Sequence, residues 1–165
     1  MPKKIYDRDA LAGELEVIRR AGRCIVFTNG CFDILHVGHV RYLREARAFG
    51  DVLVVAVNSD ASVRALKGAP RPLIPAAERA EMVAALEMVD FVTIFPELTP
   101  LILVERLRPN VIVKGGDWSA DRIVGRQAVA SWGGRVVVVG QTEGVSTTNL
   151  VARVLTAYST GRQKA

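Results

Sequence analysis

The chain has 165 residues, half of them apolar and 6% aromatic, which fits a single domain over 1–165 with an aliphatic core. Its 22 Lys and Arg exceed its 17 Asp and Glu, and the net charge of +5 favours a small polyphosphate over nucleic acid, because the basic residues neither cluster nor alternate with aromatic ones. No stretch approaches the roughly 18 apolar residues of a membrane span and no apolar segment follows the basic N-terminus, so we expect a cytoplasmic protein without a membrane partner.

Apolar runs of strand length alternate with segments of helical periodicity along the chain. In the first helical segment, for example, Leu11, Leu15 and Ile18 share one face. The elements predicted up to residue 95 are an N-terminal helix over about 8–21, a strand over 24–27, a helix over about 38–48, a strand over 52–57, a short helix over 61–66, a loop over 67–72, a helix over 78–86 and a strand over 91–95.

The second half continues the alternation, with Thr99 as a predicted N-cap and Pro100 as a predicted first helical residue. The remaining predicted elements are a strand over 111–113, a helix over about 122–131, a strand over 136–139, a helix from 146 through 155 and a frayed tail over about 159–165. Five strands alternating with helices predict an α/β fold with a doubly wound, five-stranded parallel sheet, whose core covers about 24–155. In such a sheet, ligands bind beyond the carboxyl ends of the strands.

The two histidines of the chain, His36 and His39, lie between the first predicted strand and the helix after it. Gly30 and Gly38 permit a tight turn there, and the helix start directs free N–H groups toward an anion. Imidazole nitrogens donate hydrogen bonds to phosphate oxygens, so this segment predicts a phosphate site. The alternatives are a structural role and zinc binding, but no third Cys, Asp or Glu follows a repeating ligand spacing.

Other polar clusters follow the later strands and are expected at the same edge of the sheet. Lys67 and Arg71 come after the second strand's helix, Lys114 comes at the end of the fourth strand, and three hydroxyl residues, 146–148, begin the last helix. The basic pair could instead be solvated loop charges, and one hydroxyl could be a helix cap. Three successive hydroxyls exceed the needs of a cap and suit phosphate oxygens.

Cys24 and Cys31 are the two cysteines of the chain. A bridge between them would cross the tightest part of the predicted fold. We therefore expect free thiols and a reducing compartment.

Two segments resemble the signatures of a known family. Residues 30–39, GCFDILHVGH, resemble the GxFDxxHxGH signature of the cytidylyltransferase-like nucleotidyltransferases, and residues 142–148, TEGVSTT, resemble their second signature, TEGxSTT. The match runs from about Cys24 to Arg153. It implies a Rossmann-like nucleotidyltransferase fold.

Within that superfamily, the chain is most similar to the D-glycero-β-D-manno-heptose 1-phosphate adenylyltransferases, including the C-terminal half of the bifunctional heptose kinase/adenylyltransferases. The similarity is carried by residues 57–62, 66–68, 71–72 and 113–117. It implies transfer of AMP from ATP to the sugar 1-phosphate, giving ADP-heptose for lipopolysaccharide core synthesis and pyrophosphate, by a stand-alone enzyme supplied by a separate kinase. Glycerol-3-phosphate cytidylyltransferases share both signatures but usually carry Arg where this chain has Gln141.

The resemblance implies three catalytic residues, His36, His39 and Lys67. The histidines contact the triphosphate and stabilise the pentacovalent phosphorus, with His39 nearest the transferred group, while Lys67 neutralises phosphate charge as a loop closes. The attacking phosphate oxygen is already an anion, so positioning and charge stabilisation are enough for catalysis.

Two residues have two interpretations each. Asp33 either caps backbone groups of the turn or helps to place the Mg²⁺ that we expect to accompany ATP. Arg79 either reaches a phosphate or forms a surface ion pair with Glu78 or Glu81.

The remaining implied contacts fall into two groups. Expected around the nucleotide, besides both histidines, are Asn29, Gly30, Cys31, Phe32, Gly38, Lys114, Gly115, Gly116, Thr142, Glu143, Gly144, Val145, Ser146, Thr147 and Thr148. Expected around the sugar phosphate are Asp33, Asn58, Asp60, Lys67, Arg71, Arg79 and Asp117. Lys114 and the two following glycines are expected near the base or ribose, the last hydroxyls near the β and γ phosphates, and the protein is expected to be a homodimer.

Other functions would use the same nucleotide-binding pocket with different substrates. The same chemistry would serve glycerol phosphate with CTP, or flavin mononucleotide with ATP. A non-catalytic nucleotide-binding regulator would retain the pocket without turnover.

Overall fold

The computed structural model describes residues 4–116, 119–140 and 146–161, without the side chains of residues 120, 160 and 161. Its strands are β1 (Ile25–Gly30), β2 (Val52–Asn58), β3 (Phe91–Phe95), β4 (Val111–Gly115) and β5 (Arg135–Val139). Its helices are α1 (Arg8–Arg20), α2 (Val37–Arg47), α3 (Asp60–Lys67), α4 (Ala76–Ala84), α5 (Leu101–Leu107), α6 (Arg126–Ser131) and α7 (Thr147–Gly161), with a 3₁₀ turn over Ala120–Arg122. No helix within the described residues is long and apolar enough to cross a membrane.

The five strands form one parallel sheet in the order β3-β2-β1-β4-β5. This confirms the predicted fold class. The chain runs outward from β1 to β3 on one side and from β4 to β5 on the other, so the strand order reverses between β1 and β4. Ligands of doubly wound sheets bind at such a reversal.

The sheet is buried on both faces because successive side chains of a strand point to opposite sides. Ile25 and Phe27 pack on the face covered by α1 and α5, while Val26 packs on the other face with Leu43 of α2. All seven residues of β2 are buried, as expected for a strand near the centre of a parallel sheet.

Several predicted boundaries differ from the structure, three of them in the second half of the chain. Pro100 is the N-cap of α5, without a side-chain hydrogen bond, so Thr99 does not cap the helix and Pro100 is not its first residue. The helix predicted over 122–131 is divided, since Gly125 adopts φ +92° before α6. Finally, α7 continues to Gly161, past the point where fraying was expected.

The reversal between β1 and β4 opens into a fork. These strands pair only at Val26 with Val111 and at Phe27 with Ile112, although β1 continues beside β2 and β4 continues beside β5. Tyr42 of α2 closes the base of the fork, because its hydroxyl bonds with the Thr28 hydroxyl and donates to the carbonyl of Val113 at 2.9 Å. Beyond this bridge, the fork is bounded by the ends of β1 and β4.

Candidate active site

The two histidines lie at the start of α2, after the carboxyl end of β1. His36 is the N-cap residue, with extended backbone at φ −143° and ψ 169°, and no side chain caps the helix. The two imidazole rings stack with centroids 3.9 Å apart and planes 19° apart. An uncapped helix start leaves backbone N–H groups free and carries the positive end of the helix dipole, so the stacked rings lie beside a place that attracts anions.

Both imidazoles favour the neutral form. Burial, together with the neighbouring His36, lowers the pKa of His39 to about 4, and burial also lowers the pKa of His36. The buried Nδ1 atoms of both rings have no hydrogen-bond partner among the described residues. Because buried polar atoms are normally satisfied, these nitrogens have bonding capacity for a ligand.

Phe32 fixes the turn that leads to the histidines. Its ring is buried and lies 5.2 Å from the His39 ring, at 55°, and its backbone has a left-handed φ of +49°. A Cβ atom on Gly30 would lie 3.1 Å from the Phe32 ring, so a larger residue at position 30 would displace it. With its side chain in the core, Phe32 offers mainly backbone groups to a nucleotide.

Asp33 caps a loop and does not offer a metal site. It is 2% exposed, its Oδ1 accepts hydrogen bonds from the N–H groups of Leu73 and Ile74 at 2.7 and 3.0 Å, and its Oδ2 pairs with Nε of Arg71. Burial alone would raise the pKa of Asp33, but the Ile74, Arg71 and Leu73 donors outweigh burial and lower it. Both oxygens are occupied, and the described residues contain no cluster of three or more potential metal ligands.

Arg79 occupies a different place from either expectation. It is completely buried and donates to the carbonyls of Ile74, Cys31 and Asn58 and to Oδ1 of Asp60, the last two at 2.8 and 2.7 Å. A side chain with no exposed surface neither forms a surface ion pair nor reaches a bound phosphate. Arg79 instead joins the loop after β1, the end of β2 and the loop before α4.

Asn58 and Asp60 also have internal partners. Asn58 is 3% exposed and donates from Nδ2 to the Ser62 hydroxyl at 2.9 Å. Asp60 is partly exposed and pairs with Arg79 through Oδ1. The predicted contacts of Asn58 and Asp60 with the sugar phosphate stay predictions.

Positive charges surround Cys31 in the turn after β1. Burial raises the pKa of its thiol, and the charges of Lys67, Arg79 and Arg71 act in the opposite direction. Lys67 itself is exposed at the end of α3. Their influence on Cys31 places Lys67 and Arg71 near the turn that leads to the histidines, and their contact with a phosphate stays a prediction. Cys31 and Cys24 are free thiols.

Lys114 lies at the end of β4, on the far side of the fork. Its Nζ donates to the backbone carbonyl of Asn29 at 3.2 Å and to the Asn29 side-chain oxygen. Burial lowers the pKa of Lys114 to about 8. Asn29 and Lys114, predicted as separate contacts, thus form one pair across the fork.

The comparison with protein families decides the assignment. The profile described as cytidylyltransferase-like matches residues 27–153, a range that contains the turn after β1, both histidines and the fork. The chain belongs to the cytidylyltransferase-like family.

Individual family members agree with this assignment. The chain is 58% identical over 153 residues to the bifunctional protein HldE of Geotalea uraniireducens and 55% identical over 155 residues to that of Geobacter sulfurreducens. These matches cover 93% and 94% of this chain but 31% and 32% of the relatives, so the chain spans about a third of their length. The crystal structure of the lipopolysaccharide core biosynthesis protein from Thermoplasma volcanium superposes with a TM-score of 0.61 at 30% identity, covering 73% of this chain and 98% of that one.

The second family signature is described only in part. The Ser146 hydroxyl accepts a hydrogen bond from the N–H of Asn149 at 3.1 Å, which is the capping role considered for it. Thr147 and Thr148 follow in the first turn of α7, and no hydrogen bond or ring contact between described residues joins them to the histidines. Their meeting at one polyanion stays a prediction. The predicted contacts Asp117, Thr142, Glu143, Gly144 and Val145, and the departure Gln141, lie outside the described residues.

Sequence reasoning missed the residues that shape this site from within. Thr28 and Tyr42 close the fork, yet a threonine in a strand and a tyrosine on a helix carry no local signal of pairing. Their contact depends on how α2 packs on the sheet.

Proposed function

We propose that this protein is an adenylyltransferase that transfers AMP from ATP to D-glycero-β-D-manno-heptose 1-phosphate, forming ADP-heptose and pyrophosphate. The observation that carries the proposal is the stacked histidine pair at the uncapped start of α2, with both Nδ1 atoms unpartnered. The identity to HldE proteins and the likeness to a lipopolysaccharide core biosynthesis protein support the choice of substrate.

The reaction needs no general base. An oxygen of the sugar 1-phosphate forms a bond to the α-phosphorus of ATP, the bond from that phosphorus to the β-phosphate oxygen breaks, and pyrophosphate leaves opposite the entering oxygen. Charge accumulates on the equatorial oxygens and the leaving group, so fixed hydrogen-bond donors lower the barrier. His36 and His39 supply such donors beside the positive end of α2.

Basic residues complete the charge balance. The Arg71 side chain is held by Asp33 through Nε, and this pairing leaves its terminal nitrogens available for a phosphate. Lys67 adds a charge from the exposed end of α3. The two residues flank the loop 68–70 in the sequence. Movement of this loop toward the substrates would bring both basic groups closer to the phosphates.

Magnesium enters this proposal as part of the substrate, Mg²⁺-ATP. The Asp33 carboxylate does not fit a magnesium site, because both of its oxygens already accept hydrogen bonds, from Arg71 and from the N–H groups of Leu73 and Ile74. We derive no step from a protein-held metal ion.

We also propose a cytoplasmic homodimer. Cytoplasmic ATP and the two free thiols agree with that compartment. In support of a dimer, α7 exposes Val154, Leu155 and Tyr158 along one side, at 49, 63 and 77%, and apolar helix faces of this kind are commonly covered in assemblies. Light scattering of the purified protein tests the dimer.

Product analysis tests the reaction. ATP, CTP and GTP are each supplied with the heptose 1-phosphate and then with glycerol 3-phosphate, and the nucleotide-sugar product and pyrophosphate are measured. We expect turnover with ATP and the heptose 1-phosphate, and a loss of at least about a hundredfold in kcat for His39→Ala. Glu45→Ala, an exposed change on the same helix, is the matched control. Turnover confined to CTP and glycerol 3-phosphate would replace the proposed substrates, and an undiminished rate in His39→Ala would remove the histidine from the chemistry.

A further inference from the structure

The fork between β1 and β4 holds a basic residue whose bonding is incomplete. Lys114 has three ammonium protons, and its described acceptors are the carbonyl and side-chain oxygens of one residue, Asn29. Within the described residues, no ion pair joins Lys114 to a carboxylate; the carboxylates of Asp33, after β1, and Asp60, at the start of α3, are bound to Arg71 and Arg79. A partly buried cation with neutral acceptors alone is suited to an added anion.

The same contact fixes the orientation of the Asn29 amide. An ammonium group only donates hydrogen bonds, so the atom of the Asn29 amide that faces Lys114 must be its oxygen. The NH₂ group of Asn29 is then turned away from Lys114. Consequently the groups that the pair leaves unbonded are mainly donors, the remaining ammonium protons and the Asn29 NH₂ group, which suit the oxygens of a phosphate better than the mixed donor and acceptor edge of a base.

The location of the pair agrees with this chemistry. Asn29 precedes Gly30, the last residue of β1, and Lys114 precedes Gly115, the last residue of β4 on the other side of the reversal. Tyr42 closes the fork beneath them, so the pair lies above that bridge, toward the carboxyl ends of the strands where ligands bind.

We propose that Lys114 and Asn29 form a phosphate-binding pair, in which Lys114 contacts an anionic phosphate oxygen and orients the Asn29 amide to donate to the same group. This inference rests on the proposed function, and it assigns to Lys114 a phosphate rather than the base or ribose. The phosphate belongs either to the nucleotide or to the sugar 1-phosphate, since both present the same oxygens.

Binding measurements with separate probes test the pair. The affinities of the α,β-methylene analogue of ATP, the sugar 1-phosphate and adenosine are measured by calorimetry on the intact chain, with Lys114→Met and Lys114→Arg. We expect Lys114→Met to weaken at least one phosphate probe by about tenfold or more and to change adenosine binding by less than about twofold, and Lys114→Arg to restore most of the loss. The probe that weakens identifies the source of the phosphate.

The control is Lys4→Met. Lys4 is another partly buried lysine whose Nζ donates to a backbone carbonyl, that of Leu86 at 3.2 Å, but it lies with the N-terminal segment beside β3. We expect Lys4→Met to leave all three affinities unchanged. Equal weakening of adenosine and the ATP analogue in Lys114→Met, or no change with either phosphate probe, would overturn the inference.

The variant Asn29→Asp separates phosphate recognition by the pair from a purely structural role of the pair. The new carboxylate would neutralise Lys114, so we expect weaker binding of the affected phosphate probe without a lower melting temperature. A pair that serves only to hold the strands predicts unchanged affinity for that variant, and this result would also overturn the inference. These binding tests are independent of turnover. A wild-type protein that uses a different sugar phosphate would refute the proposed substrate, while a weaker affinity of Lys114→Met for the ATP analogue, or for the sugar phosphate actually used, would still support the pair.

Discussion

His36 and His39 stack ring on ring, 3.9 Å between centroids, at the first turn of α2. This spacing places two titratable groups where protonation of one opposes protonation of the other. In the free protein both imidazoles are neutral near pH 7, and the charge that they lack is expected to appear when a polyanion binds. If the pair binds the triphosphate as proposed, we expect nucleotide binding to be accompanied by proton uptake.

The buried His39 predicts a loss of stability in mild acid, beginning above the range in which carboxylates titrate. The folded-state pKa of His39 is about 4, below its value of about 6.5 in an unfolded chain. The unfolded state therefore binds more protons as the pH falls through this interval, and the free energy of unfolding decreases by at most about 3 kcal/mol between pH 6.5 and pH 4. Urea unfolding at a series of pH values measures this slope.

His39→Gln is the matched variant for that slope, since it keeps a polar side chain of similar size without a titrating ring. We expect a flatter stability profile between pH 6.5 and pH 4 in the variant. An identical slope in both proteins would mean that His39 is not the buried neutral imidazole described above.

Replacement of Arg79, at the edge of the site, is expected to cause a large loss of stability. Arg79→Ala leaves Oδ1 of Asp60 and three carbonyls without their shared donor, and we expect the free energy of unfolding to fall by about 3 kcal/mol or more. Arg79→Lys retains the charge but reaches fewer acceptors, so its loss should be intermediate. Chemical unfolding measures both.

The control for Arg79 is Arg64→Ala, a change at an exposed position of α3, which should alter stability by less than about 0.5 kcal/mol. The intermediate variant also gives a kinetic readout. Because Arg79 shapes the loops and contacts no ligand, Arg79→Lys should raise KM for the sugar phosphate more than it lowers kcat. A selective loss of kcat at unchanged KM would contradict this positioning role.

Asp33 gives a prediction that separates its two interpretations. In Asp33→Asn, the amide keeps an acceptor for the N–H groups of Leu73 and Ile74 but loses the charge that holds Arg71. We expect stability to fall by about 1–3 kcal/mol and KM for the sugar phosphate to rise, with an unchanged dependence of rate on Mg²⁺ concentration. A shifted Mg²⁺ requirement in this variant would restore Asp33 as a metal ligand.

The pH dependence of Asp33 has the sign of a stabilised carboxylate. Its folded-state pKa is lowered, so the stability that it contributes is present above the unfolded-state pKa and is lost as the pH falls through the folded value. Asp33→Asn should therefore lose its difference from the wild type in strong acid. Most of this loss falls below pH 4, whereas most of the His39 contribution is lost above pH 4, so the two overlap only between about pH 5 and pH 4.

The sequence predicted the sheet well because its strands are continuous apolar runs that leave little choice of element. The predicted first strand ended too early, at residue 27, because Thr28, Asn29 and Gly30 are not apolar. In the structure these three residues belong to β1 and pair with β2, as far as Gly30 beside Val57. The histidines were predicted to act together from their spacing, the glycine between them and their position after a strand, and the structure stacks them at the start of α2. Arg79 was not, since an arginine in a helical segment appears exposed until the loops that supply its acceptors are folded around it.

Substitution of Tyr42 tests whether the fork between β1 and β4 depends on the hydrogen bonds at its base. The Tyr42 hydroxyl contacts the Thr28 hydroxyl and the carbonyl of Val113, and burial raises the pKa of Tyr42 to about 12. Tyr42→Phe leaves both partners unsatisfied, and we expect it to lower the free energy of unfolding by about 1–3 kcal/mol and to weaken binding of the ATP analogue.

A double variant distinguishes an unsatisfied bond from lost packing. Thr28→Val together with Tyr42→Phe removes both hydroxyls and keeps the side-chain shapes, so part of the stability lost in Tyr42→Phe should return. Arg64→Ala, at an exposed position of α3, is again the control and should be neutral. The losses of stability in the single variants Thr28→Val and Tyr42→Phe are added for comparison. If the double variant lost more stability than this sum, the Thr28–Tyr42 contact would not be the source of the loss. The base of the fork would then be held by packing of the Tyr42 ring against Gly115.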